Sequence, residues 1–291
     1  MEASISHLLV PIDYSDKSVF GLKYAEKLNR VLNGKITFIN VIKGVDPIWS
    51  EFFSDVEREV LLNRLEEHMR KFVHQNSGLN DAEFDCRILR GKLCDTIMQT
   101  AESLGASAIV MGTSRADNIK KKIIGTNALR VVSESKCPVI TIKSTPPTAD
   151  IKRLILPMDI SKESREKTVD AVAIAKRLNA EIMVVSAYTI SDEFVLKNLR
   201  NQQNQVVKYI ADRGVKCTGA ILAVDDQVDG VLDFIDKNNG DMVIITTHQQ
   251  FETVSSFVGS FAKSMVSAAK VPVMSVVPRH AYNVVFKLPA S

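Results

Sequence analysis

Short apolar runs alternate with longer polar–apolar stretches along the chain. "HLLVPID" (7–13), "KITFINVI" (35–42), "FDCRILR" (84–90), "SAIVMG" (107–112) and "PVITIK" (138–143) are rich in Val and Ile and bounded by turn or charged residues, which predicts β-strands. Between them lie stretches long enough for helices. In "SDKSVFGLKYAEKLNRVL" the apolar residues Leu22, Ala25, Leu28 and Leu32 recur at helical spacing behind a Ser15 or Asp16 cap. The strands show little polar alternation, so the sheet they form is expected to be covered on both faces. Alternating β and α units predict parallel strands joined by right-handed crossovers.

The pattern then repeats. "HLLVPIDYSDKS" (7–18) returns as "RLILPMDISKES" (153–164), placing Pro11 on Pro157, Asp13 on Asp159 and Ser15 on Ser161. "LNGKITFINV" maps onto "LNAEIMVVSA" at the same offset, and "GTNALRVVSESKCPVITI" (125–142) maps onto "GSFAKSMVSAAKVPVMSV" (259–276) at a smaller one. The first half therefore has a longer middle, around "KGVDPIWSEFFSDVER", and "STPPTAD" (144–150), with its two prolines, is the natural linker. The expected architecture is two tandem doubly wound α/β domains, residues 1–145 and 151–279, with a tail at 280–291. In such sheets ligands sit beyond the carboxyl ends of the strands, where Asp13 and Gly112 are each expected just past a strand.

Composition narrows the function classes. The 291 residues hold 37 Lys and Arg against 34 Asp and Glu, a formal charge of +3. The basic residues are spread along the chain, which speaks against a dedicated nucleic-acid or membrane-surface binder. Cys86, Cys94, Cys137 and Cys217 form no CxxC pair and read as reduced thiols. "MEASISHLLVPIDYS" has no basic n-region, and no run reaches bilayer-spanning length, so a cytoplasmic location is expected.

The stretch "GTSRADNIKKKIIGT" (112–126) has the two anchors of a phosphate loop: Gly112 at a strand end, and Gly125 opening a helix with the Thr126 hydroxyl beside it. Lys120, Lys121 and Lys122 raise the local potential for anions. On the residues alone a plain basic surface loop fits as well.

The paired "hLhPhD" openings (h apolar), the "hhMG" strand, the Gly-[Ser/Thr] helix start and the closing "CPVhhh" strand resemble the universal stress protein family in its tandem form. The resemblance extends to about Arg279 and implies an adenine nucleotide alpha hydrolase-like fold, an internal pseudo-dimer joined through "CPVITIK" and "VPVMSVV", and a stress-response regulatory protein. It also implies a binding pattern Gly-x2-Gly-x9-Gly-[Ser/Thr] for ATP with magnesium or manganese. Here Gly112 holds the first position, Arg115 replaces the second glycine, and Gly125 and Thr126 hold the last two. In the second half the same positions are Thr246, Gln249, Gly259 and Ser260, so that site is expected to be lost. By the same resemblance Asp13 would lie by the ribose or adenine, Val41 would offer backbone to the base, and Asn127 would add an N–H at the phosphates. Asp13 has an equal claim as a helix cap. Arg115 either pairs with phosphate through its guanidinium or closes the loop with its bulk.

The leading expectation is thus one nucleotide per chain, in the first half. The alternative is a scaffold or sensor acting through protein partners or another small ligand, with Trp49, Phe52 and Phe53 either a partner-binding lip or a loop folded onto its own domain. A very slow ATPase is the remaining option. The sequence holds no Gly-x4-Gly-Lys-[Ser/Thr] loop, no nucleophile elbow and no ligand-spaced His pair among His7, His68, His74, His248 and His280, so it identifies no catalytic set. A dinucleotide enzyme is set aside, because "PIDYSDKS" stands where Gly-x-Gly-x-x-Gly belongs. "YNVVF" in the tail is a candidate strand for pairing two chains into a homodimer.

Overall fold

The computed structural model describes residues 7–43, 53–113, 125–144, 150–159, 161–189, 192–247 and 259–277. Arg115, Trp49, Phe52, most of the proposed linker, His248, Gln249 and the tail lie outside the described residues.

The first half runs β1 (His7–Pro11), α1 (Asp16–Leu32), β2 (Lys35–Ile42), α2 (Asp55–Asn76), β3 (Phe84–Arg90), α3 (Leu93–Ser103), β4 (Ala108–Gly112), α4 (Thr126–Glu134) and β5 (Val139–Ile142). The second half repeats the order with β6 (Arg153–Pro157), α5 (Lys162–Leu178), β7 (Glu181–Tyr188), α6 (Glu193–Ala211), β8 (Cys217–Ala223), α7 (Gln227–Lys237), β9 (Met242–Thr246), α8 (Ser260–Ala268) and β10 (Val273–Val276). Each of the five strands expected in the first half is present. Gly112 is the last residue of β4, not the first beyond it.

The repeat reaches into backbone detail. α1 and α5 each have 17 residues and each stop at an asparagine in the left-handed region, Asn33 at φ 50° and Asn179 at φ 49°. Their middles differ, since α2 spans 22 residues and α6 spans 19. α2 starts on a reciprocal cap: the Glu57 N–H donates to Ser54 Oγ at 3.3 Å and the Ser54 N–H donates to Glu57 Oε2 at 2.8 Å.

All ten strands form one sheet in the order β3-β2-β1-β4-β5-β10-β9-β6-β7-β8. Pairing is parallel within each half and antiparallel where β5 meets β10, with Ile140 opposite Met274. Each half thereby covers an apolar edge that would otherwise invite association, and the expected pseudo-dimer is this junction. Two apolar layers flank the sheet. One gathers residues of α1, α2, α5 and α6, the other residues of α3, α4, α7 and α8, and both run through the two halves. β4, β5, β9 and β10 are buried on both faces, which accounts for their nearly continuous hydrophobic sequence.

Tyr24 of α1 is 1% exposed and its hydroxyl has no hydrogen-bond partner. Burial pushes its phenol well above the ordinary value. A buried hydroxyl without a partner costs about 1–3 kcal/mol. Tyr24→Phe is therefore expected to raise stability by about 1 kcal/mol, read as a higher denaturant midpoint at unchanged slope.

Candidate functional site: a cleft at the carboxyl ends of β1, β2 and β4

β1 delivers the chain to Asp13, and a tight turn then opens α1. Asp13 Oδ1 accepts from the Ser15 N–H at 3.0 Å and from Ser15 Oγ at 2.5 Å. The Ser18 hydroxyl donates to Ser15 O at 2.8 Å. Between them Tyr14 adopts φ 62°, a backbone state that costs a non-glycine residue about 1–3 kcal/mol. Its ring packs on His68 and Phe72 of α2, each at 5.2 Å between centroids, and this contact offsets the strain. Burial pushes the Asp13 carboxyl up, but hydrogen bonds led by those from the Ser15 hydroxyl and N–H outweigh it and hold the group below the usual range. Asp13 thus organises the turn ahead of α1 without capping it, since the N-cap is Ser15 and no side chain makes a cap bond there, while the residue stays exposed and lines the cleft.

The opposite wall comes from β4 and α4. Thr113, just past β4, is anchored to β5: its N–H and its hydroxyl both donate to Ile142 O, at 2.7 and 3.3 Å. Gly112 lies against α1 so closely that a Cβ there would sit 1.6 Å from Lys17 O. Gly125 caps α4 with no side-chain cap bond and no acidic residue in the first turn, so among the described residues nothing on the helix itself offsets its positive end. Among the described residues a Cβ on Gly125 would meet nothing within 4 Å, and its φ of −55° suits any residue.

The cleft between these walls holds about 170 Å³ and is lined by Asp13, Lys17, Val41, Gly112, Gly125 and Asn127 over an apolar floor that includes Ile39 and Met111. Asp13, Val41, Gly112, Gly125 and Asn127 are thus brought together as expected. Thr126 begins α4 but is exposed and is not among the described lining residues. Arg115 lies outside the described residues. The sequence reading missed Lys17, Ser18 and Thr113 in the lining. The spacing held a signal for two of them: Lys17 and Ser18 fall in the first turn after the Ser15 cap, at the end of the helix that faces the strand termini. It also missed the Cys94 thiol, which reaches Asn127 O at 3.7 Å and steadies the start of α4.

The second half has the same cleft in altered form. Pro157, Asp159, Ser164, Ala187 and Thr246 line it at the positions of Pro11, Asp13, Ser18, Val41 and Gly112. Asp159 repeats the Asx turn, accepting from the Ser161 N–H at 2.8 Å and from Ser161 Oγ at 2.5 Å. The volume falls to about 60 Å³.

The family model describing the universal stress protein family matches residues 4–143 and again 150–277, nearly the whole chain in two copies. The chain belongs to the universal stress protein family. Universal stress protein G of Escherichia coli O157:H7 is 28% identical over 144 residues, covering 47% of this chain and 97% of that protein. A universal stress protein from Archaeoglobus fulgidus DSM 4304 has a crystal structure that superposes with a TM-score of 0.73 at 20% identity, covering 94% of this chain and 98% of its own, and so shares the fold of both halves. A shorter Archaeoglobus fulgidus universal stress protein, solved in complex with dAMP, is 15% identical, covering 43% of this chain and 97% of its own at a TM-score of 0.37.

Of the remaining sequence expectations, Phe53 is 40% exposed, with Val56 and Val60 also exposed on α2. All four cysteines are free thiols, with Cys86 and Cys94 buried. Among the described residues no helix is long and apolar enough to cross a membrane, and no three His, Cys, Asp or Glu side chains form a metal-holding cluster.

Proposed function

We propose that this universal stress protein binds an adenine nucleotide, ATP or a relative, in the first-half cleft and acts as a nucleotide-responsive regulator. The observation that carries the reading is Gly125: a helix N-terminus with no side-chain cap bond, clear of contacts among the described residues, on the wall of a cleft that also holds Lys17 and Gly112. Backbone N–H groups of the first turn of α4 would take the phosphates, and Lys17 would supply counter-charge. The floor of Ile39 and Met111, with Val41 at its edge, would take the base, and Asp13 would receive the ribose or a phosphate-bound magnesium or manganese ion. The dAMP in the Archaeoglobus fulgidus protein is that protein's ligand; what supports a nucleotide here is the cleft's own donor set.

Binding without turnover fits the same residues. Asp13 is the one carboxylate lining the cleft among the described residues, and its depressed proton affinity makes it a poor general base at neutral pH.

The test is thermal unfolding with and without ATP and magnesium. Ligand at about a hundredfold its Kd adds roughly 2.7 kcal/mol to apparent stability. Gly125→Asp is the control. It sets a carboxylate into the open space and, at a helix N-terminus, should not lower the midpoint of the free protein. The midpoint is expected to rise with nucleotide in the parent and to stay fixed in the variant. A rise of equal size in both would remove the first-half cleft as the site.

A further inference from the structure

The two clefts differ at a pair of facing positions. In the first half Gly21 of α1 and Gly112 of β4 let helix and strand touch: a Cβ on Gly21 would lie 3.0 Å from the Gly112 N. In the second half the corresponding residues are Lys167 of α5 and Thr246 of β9, and both line the cleft.

Lys167 is 6% exposed, an unusual place for a lysine. Nζ donates to Ser164 Oγ at 3.1 Å, and that oxygen also accepts from the Asp159 N–H at 3.2 Å. Among the described residues this is the one hydrogen bond of Nζ, and an ammonium has two further donors. The surrounding wall is mainly apolar, with Met158, Val185, Val231, Ile245 and Phe261. Phe261 stands where Asn127 stands in the first half and removes a polar contact.

A buried cation and largely apolar walls in one small cavity are the parts of a site for an anion with an alkyl body. Size and charge narrow the class. About 60 Å³ holds roughly four to six non-hydrogen atoms, because one water needs about 10–15 Å³ on this measure. The Asp159 carboxylate favours the charged lysine but repels a doubly charged ligand, so a monoanion fits better than phosphate. We propose that the second-half cleft binds a short-chain monocarboxylate, its oxygens on Lys167 Nζ and its alkyl group against Val185, Val231 and Ile245. The tandem protein then reads two unlike ligands through one fold, a nucleotide in the first half and a small organic acid in the second.

The test is ligand-observed NMR on the full chain with sodium propionate as probe at constant ionic strength, with propionamide and inorganic phosphate as comparators. Saturable propionate binding is expected, weaker by at least about tenfold in Lys167→Met, the loss of a charge-assisted hydrogen bond. Ala187→Leu narrows the cavity without touching the lysine and should also weaken binding, so the result does not hang on one variant. Gly125→Asp, in the other half, should bind propionate as the parent does, which separates this outcome from that of the ATP experiment. Unsaturable propionate signal, equal affinity in Lys167→Met, propionamide binding as tightly as propionate, or lysine-dependent preference for phosphate would each overturn the proposal.

Discussion

Replacing Gly112 by alanine is expected to destabilise the protein by about 3 kcal/mol or more, a large effect for one methyl group on the surface of a cleft. The added Cβ would fall 1.6 Å from the carbonyl oxygen of Lys17, 2.4 Å from its carbonyl carbon and 3.2 Å from its Cα. These are backbone atoms in the first turn of α1, so no rotamer change relieves the clash. α1 must retreat from β4, and with it goes the contact between Gly21 and the Gly112 N–H. In the second half neither corresponding position is glycine: Thr246 stands in place of Gly112 and Lys167 in place of Gly21. Chemical denaturation of Gly112→Ala beside Gly125→Ala measures the difference. The second substitution enters open space and should change stability by well under about 1 kcal/mol. Gly112 in this family motif is thus held by helix packing as well as by any ligand.

The second large effect has the opposite sign. Burial pushes the Lys167 ammonium down to about 8 from an ordinary value of 10.5, and the Asp159 carboxylate only partly restores it. The unfolded chain keeps the proton up to its ordinary value, whereas the folded chain releases it at about 8. Between those values the unfolded state holds more protons, so this group makes stability rise with pH across that window. Below it the full penalty applies, roughly 3 kcal/mol for a shift of this size. Lys167→Met keeps most of the stem and removes the charge. It is expected to raise stability by about 1–3 kcal/mol at neutral pH, with the gain shrinking between pH 8 and 10.5. Urea midpoints of parent and variant at neutral and alkaline pH check it, and the difference between them cancels the other groups that titrate there. A protein that keeps a destabilising lysine beside a cavity is consistent with that lysine having a ligand.

The repeat made most of the fold legible. Once "HLLVPID" and "RLILPMD" were aligned, parallel strands with crossover helices in each half followed from the pattern, and the pairing of "CPVITIK" with "VPVMSVV" from family resemblance; the strand order and the antiparallel sense of that pairing came from the structure. Asp13, Val41, Gly112, Gly125 and Asn127 converge because the carboxyl ends of β1, β2 and β4 and the amino end of α4 lie at one edge of the parallel sheet. Three things were not legible. The division of Asp13 between turn-building and cleft depends on its hydrogen bonds to Ser15, a geometry that an Asp-x-Ser spacing permits without requiring. Thr126 misses the described cleft because the helical rotation after Gly125 turns Asn127 and Ala128 inward instead. Lys167 aligns with Gly21 in the repeat, yet a lysine in the first turns of an amphipathic helix reads as solvated. Only the approach of α5 to β9 buries it.

The central claim is that one half of this tandem protein binds nucleotide and the other does not. Titration calorimetry of the full chain with ATP and magnesium tests it most directly, because stoichiometry and site are read together when Gly125→Asp and Lys167→Met are titrated in parallel. The account predicts one nucleotide per chain in the parent and in Lys167→Met, and no binding heat in a folded Gly125→Asp. Two nucleotides per chain, or none at millimolar ligand from protein shown to carry no co-purified nucleotide, would contradict it.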